Sequence, residues 1–134
     1  EPGTLDGDLP LVSSRILLVD DSLDNQTLIS RILKLLGAEV ELANDGVEGI
    51  EKALTDDFDV VLMDLQMPRM GGVEATRLLR QRGYSKPIVA LTAHALKEDR
   101  QRCLSVGCTD YLTKPVQRSH LVQVIERVAQ LRQG

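Results

Sequence analysis

From Arg15 onward, short apolar runs alternate with longer segments whose apolar positions recur every three or four residues. The runs Ile16–Val19, Val40–Ala43, Val60–Met63, Ile88–Leu91 and Tyr111–Leu112 predict strands. The segments between and after them, Ser22–Leu36, Asp45–Leu54, Val73–Gln81, Leu96–Val106 and Arg118–Leu131, predict helices; in the last, Leu121, Ile125, Val128 and Leu131 form one stripe. Parallel strands need long crossovers, so five strand–helix units in succession imply an α/β domain, doubly wound, with helices on both faces of a parallel sheet. Most of the strands are unbroken apolar runs, as strands covered on both faces should be, whereas Val40-Glu41-Leu42 alternates and is expected at an edge. Gly37 and Gly107 are expected to stop helices, and Asp45 and Ser119 to cap helix starts.

The polar residues fall where such a fold would use them. Asp20-Asp21, Asp64, Thr92 and Lys114 stand at the carboxyl ends of the first, third, fourth and fifth strands, while the second ends in Ala43-Asn44. Open α/β sheets bind ligands in the crevice outside these ends. Three carboxylates gathered there would repel one another, and a hard divalent cation with oxygen ligands is the natural relief; Mg²⁺ is the expected ion. Moving a phosphoryl group consists mainly of positioning it and neutralising its charge. Lys114 offers an ammonium for one phosphoryl oxygen, Thr92 a hydroxyl for another, and Asp64 a nucleophile. Taken singly, each has a plainer reading: Asp20-Asp21 as a helix cap, Asp64 and Lys114 as polar strand ends. Their occurrence together at four strand ends favours one shared site.

Composition narrows the classes. At 134 residues and 43% hydrophobic, the chain suits one domain, with residues 14–134 as the folded unit and the polar, turn-prone residues 1–13, without an initiating Met, as linker from a longer protein. A formal charge of −4, with Lys and Arg scattered, argues against nucleic acid as a partner. No apolar run has the roughly 20 residues a membrane helix needs, so the chain itself is expected to make no membrane contact and to be cytoplasmic. Cys103 and Cys108 lack the CxxC spacing of a redox or zinc pair and read as reduced, structural thiols. Met63 is expected in the core and Met67 and Met70 packing a loop; His94 and His120 stand alone.

The stretches ILLVDDS, VVLMDLQMPRMGG, PIVALTAHA and DYLTKPV, in this order and spacing, resemble the response-regulator receiver domain of two-component signalling over about Arg15 to Leu131. The MDLQMPRMGG wording is most similar to receivers of hybrid sensor histidine kinases, whose parent protein is in some cases membrane-anchored. The resemblance implies a flavodoxin-like five-stranded sheet of order 2-1-3-4-5 flanked by five helices. It implies that Asp64 accepts a phosphoryl group from a histidine kinase or histidine phosphotransfer domain in a phosphorelay. It further implies Asp21 and Asp64 as direct Mg²⁺ ligands, Asp20 acting largely through water, and the Gln66 backbone carbonyl completing the site. Thr92 and Lys114 match the phosphoryl-binding hydroxyl and ammonium, Tyr111 the aromatic that changes rotamer with Thr92, and Lys114-Pro115 a cis peptide. Gln66 and His94 match positions that tune acyl-phosphate lifetime. Gly71 departs from the family's more frequent Asp, which implies a more flexible loop after Asp64. Leu23, Asn25 and Gln26 are expected to meet the phosphohistidine protein.

Three other classes fit less well. An aspartyl-phosphate hydrolase would want a carboxylate two residues after its nucleophile, and Gln66 stands there. A flavodoxin-like cofactor binder would want a Gly/Ser/Thr-rich loop after the first strand, where Asp20-Asp21-Ser22-Leu23-Asp24 has the wrong charge. A receiver used only as an interaction module, without phosphorylation, need not keep all five functional side chains.

Overall fold

The computed structural model describes residue 11 and residues 14–67, 70–93 and 97–133, with only the backbone course given at 99 and 129–133. Strands and helices alternate: β1 (Arg15–Val19), α1 (Leu23–Leu35), β2 (Glu39–Ala43), α2 (Gly46–Thr55), β3 (Val60–Asp64), α3 (Gly72–Gln81), β4 (Ile88–Thr92), α4 (Lys97–Ser105), β5 (Asp110–Thr113) and α5 (Arg118–Gln133). All five strands are parallel, in the order β2-β1-β3-β4-β5. β2 is the expected edge, and of its five residues only Ala43 is buried.

Side chains alternate across a strand, so each central strand feeds two cores. Ile16, Leu18, Val60, Leu62, Val89 and Leu91 face α1 and α5, where Ile29, Leu33, Leu121, Ile125 and Val128 meet them. Leu17, Val19, Val61, Met63, Ile88 and Ala90 face α2, α3 and α4. Burial on both faces explains why these strands read as unbroken apolar runs. Met63 is fully buried, and Met67 and Met70 pack partly buried against the second core. Leu11, inside the segment read as linker, is also buried in the first core and donates its N–H to the Leu36 carbonyl at 2.9 Å.

Helix ends follow local chemistry. Ser22 Oγ accepts from the Asn25 N–H at 3.3 Å and Asp45 Oδ1 from the Glu48 N–H at 2.9 Å, so both act as N-caps. Ser119 does not cap α5: the helix begins one residue earlier, the Leu121 N–H already bonds to the Gln117 carbonyl, and Ser119 lies in the first turn. α1, α3 and α4 share one C-terminal turn. In each, a glycine of positive φ lets the following N–H reach back to the carbonyl five residues earlier: Ala38 to Leu33 (3.0 Å), Tyr84 to Leu79 (3.0 Å) and Cys108 to Cys103 (3.1 Å). Leu96 and His94 lie outside the described residues, as does the Leu131 side chain.

Candidate functional site

The register of the parallel strands gathers the polar residues. Met63 pairs with Val19, Asp64 with Leu91 and Thr92 with Thr113, which places Asp20, Asp64, Thr92 and Lys114 at neighbouring strand ends. The Lys114 N–H donates to the Thr92 carbonyl at 2.7 Å. Lys114 and Pro115 are joined by a cis peptide bond. Asp20 and Asp64 are 0% and 2% exposed and Thr92 4%, while Asp21 lies open at the rim. One carboxylate oxygen each from Asp20, Asp21 and Asp64 lies within 4.8 Å of the others.

Positive charge is scarce among them. Lys114 Nζ stands 3.2 Å from Asp64 Oδ1 and 3.5 Å from Asp20 Oδ2. Asp64 Oδ1 also accepts from the Gln66 N–H at 3.1 Å, and Asp20 Oδ1 from the Ser22 N–H at 2.9 Å. Asp20 Oδ2 is fully buried and accepts no hydrogen bond among the described residues, with the Lys114 ammonium as its ion-pair neighbour. Burial pushes the Asp64 carboxyl above the usual carboxylate range; the Gln66 N–H opposes this, the Asp20 charge adds to it, and Lys114 opposes it again. Three hard oxygen donors, one with a buried unsatisfied oxygen, suit a hard divalent cation.

The supporting residues bring a correction. Gln26, expected on the docking surface, is buried; its amide donates to the Asp20 carbonyl at 2.6 Å and to Asn44 Oδ1 at 2.9 Å. Asn44 is held in turn by Glu48 Oε1, 2.7 Å from its N–H and 3.1 Å from its side-chain amide. The signal was present in the sequence: Gln26, Ile29 and Leu33 share one helical stripe, and a polar residue on that stripe must find a partner inside. Leu23, by contrast, is 75% exposed near the site, and Asn25 is half-buried.

On the other side of Asp64, Gly72 is required by space, since a Cβ there would lie 2.3 Å from the Asp64 carbonyl oxygen. Gly71 is the N-cap of α3 and offers that helix no side-chain acceptor. A cavity of about 290 Å³ opens beside Thr92 and Gln66, lined also by Glu74, Arg77 and Arg102. Tyr111 does not reach the strand ends. It sits two residues back along β5, opposite Ala90, its ring half-buried against the second core and 5.3 Å below the Arg100 guanidinium. His120 is exposed. Among the described residues no helix is long and apolar enough to cross a membrane.

A model of the Response regulator receiver domain family matches residues 16–126. "Probable histidine kinase 2" of Oryza sativa subsp. japonica is 40% identical over 139 residues, which cover 90% of this chain and 13% of that kinase. The chain therefore spans about an eighth of such a relative. The receiver domain of sensor histidine kinase PA1611 from Pseudomonas aeruginosa PAO1, solved with magnesium coordinated in its active-site cleft, superposes with a TM-score of 0.81 at 41% identity, covering 87% of this chain and 98% of that one. The receiver domain of Saccharomyces cerevisiae Ssk1, crystallised with the histidine phosphotransfer protein Ypd1, superposes with a TM-score of 0.82 at 29% identity, covering 91% and 92%.

Proposed function

The chain belongs to the response regulator receiver domain family, and from that premise we propose that it takes a phosphoryl group from a phosphohistidine onto Asp64 in a Mg²⁺-dependent reaction and relays it as a conformational signal. The observation that carries this reading is the Lys114 ammonium, set between the buried Asp64 and Asp20 carboxylates with Thr92 on the adjoining strand end. In the reaction an Asp64 oxygen attacks phosphorus as the phosphorus–nitrogen bond breaks, and the departing histidine keeps that electron pair. Because the Gln66 N–H and Lys114 already engage Oδ1, Oδ2 is the oxygen left to attack. Lys114 and the Thr92 hydroxyl then bind phosphoryl oxygens.

Asp21 and Asp64, with Asp20 through water and the Gln66 carbonyl, would hold Mg²⁺. When bound, the ion supplies positive charge against the phosphoryl oxygens. Gln26 acts at one remove, fixing the backbone from which Asp20 projects. The Thr92 hydroxyl, once drawn to the phosphoryl group, vacates space for the Tyr111 ring, which leaves its place beneath Arg100 and changes the α4–β5 surface. The donor is a histidine kinase or a histidine phosphotransfer domain, a reading supported by the Ssk1 and plant kinase likenesses. The likenesses to the plant kinase and to the receiver of sensor histidine kinase PA1611 favour a hybrid sensor kinase as the larger protein. Leu23 and Asn25 flank the approach.

Intact-mass spectrometry after incubation with a small acyl-phosphate donor tests this. The expected result is one added phosphoryl group that requires Mg²⁺ and is lost in Asp64→Asn. No adduct under any condition would overturn it in favour of an interaction module that works without phosphorylation.

A further inference from the structure

The turn that ends α4 has the same backbone as those ending α1 and α3, but different side chains. Such a turn brings the residue three places before the helix end against the residue after the glycine. In α1 and α3 these pairs are Leu33 with Ala38 and Leu79 with Tyr84; in α4 both are cysteines. The Cys108 N–H bonds to the Cys103 carbonyl at 3.1 Å and the Gly107 N–H to the Leu104 carbonyl at 3.1 Å, with Gly107 at φ 113°. The two backbones are thus locked at close range. Five residues of sequence separation hid a pair that the helix end assembles.

The surroundings favour a reactive pair over a merely apolar one. Thr76 Oγ1 lies 3.9 Å from Cys108 Sγ. The Arg80 guanidinium is anchored on the same turn, its Nε donating to the Gly107 carbonyl at 2.9 Å. Proximity to the Cys103 thiol lowers the Cys108 thiol pKa; burial opposes this, and Thr76 and the Arg80 charge assist. Cys108 is also the more exposed of the two and the one that faces Thr76 beside the anchored Arg80 guanidinium, so it is the nucleophile and Cys103 the resolving thiol. Cys103 is 1% exposed and Cys108 6%, which leaves room only for a small reagent at the rim.

We infer that Cys103 and Cys108 form an oxidation site at which a hydroperoxide converts the two thiols into an intramolecular disulfide, fastening the end of α4 to the segment entering β5. Cys108 attacks the peroxide oxygen, giving a sulfenic acid and water or an alcohol. The Cys103 sulfur then displaces hydroxide from it, so two thiols give up two protons and two electrons and the peroxide is reduced. The site lies on the α4–β5 side and does not depend on phosphotransfer.

The test treats the intact protein with dilute hydrogen peroxide, then maps peptides without reduction. The expected product has lost two hydrogens, carries a Cys103–Cys108 link, offers no thiol to maleimide after denaturation, and returns to the starting mass with dithiothreitol. In Cys103→Ser, Cys108 should be trapped as a sulfenic acid by a cyclic 1,3-dione, and Cys108→Ser should leave Cys103 unreacted. Two free thiols after exposure that fully oxidises a small-molecule thiol would overturn the assignment. So would stepwise oxygen addition without a link, or a cross-link between molecules. The wild-type map decides the matter even if a serine variant fails to fold.

Discussion

The two ends of the sheet treat their charged groups in opposite ways. At the amino ends the charged groups of Arg15, Asp59 and Arg80 find partners in the fold itself. The Arg15 N–H donates to Asp59 Oδ2 at 2.7 Å, and the Asp59 N–H returns to the Arg15 carbonyl at 2.7 Å. Arg80 reaches from α3 to the carbonyls of Tyr84 (2.7 Å), Lys86 (2.8 Å) and Gly107 (2.9 Å), tying together the segments that enter β4 and β5. At the carboxyl ends the two buried carboxylates of Asp20 and Asp64 share the Lys114 ammonium, with the exposed Asp21 beside them, and a buried Asp20 oxygen accepts no hydrogen bond among the described residues. One end pairs these charges as folded; the other is arranged for charge that arrives from outside, at a cost in stability.

That contrast can be broken at either end. The largest effect is expected at the amino end, where Arg80→Ala strands three carbonyls at roughly 1 kcal/mol each and should lower Tm by about 10 °C in a thermal melt. Next, Lys114→Ala removes the ammonium at the unfinished end, and phosphoryl accumulation from an acyl-phosphate donor should fall about 100-fold while the fold persists by circular dichroism. Smaller and opposite in sign, Asp64→Asn without Mg²⁺ should raise Tm at pH 7 by about 3 °C, since it removes a buried charge beside Asp20. The folded Asp64 pKa is raised, so the charged wild type is penalised above it and the penalty lifts as pH falls. The advantage of the Asn variant should therefore shrink on acidification and vanish below the ordinary carboxylate value of about 3.9. Last, Lys86→Ala breaks an ion pair with the exposed Asp57 and should change stability by no more than about 0.5 kcal/mol.

The fold was legible because its two periods are strong. Each predicted strand and helix is present, with boundaries moved by one or two residues, and β5 runs from Asp110 to Thr113 where only Tyr111–Leu112 was apolar enough to read. Ser119 misled because a serine before an apolar stripe looks the same at a helix cap as in a first turn; where the chain enters α5 decides between them. At the site, Asp20, Asp64, Thr92 and Lys114 were legible from their places after strands. Gln26 reads as a surface contact on its polarity alone, whereas its place on the stripe of Ile29 and Leu33 puts it inside. The cysteine pair is hidden for a different reason: its approach depends on the positive-φ turn at Gly107, which CxxC spacing does not reveal.

The edge strand β2 has a consequence for assembly. A bare strand edge invites another chain to extend the sheet, which is a route to aggregation. Here Glu39 and Glu41 project from the strand into solvent, so a second copy laid alongside in the antiparallel sense would bring carboxylates together. Lys52 also reaches from α2 to the Leu42 carbonyl at 2.5 Å and to Glu41 Oε2 at 3.2 Å, occupying an acceptor near that edge. Sheet growth through β2 is therefore disfavoured, and the width of five strands is guarded on that side by charge.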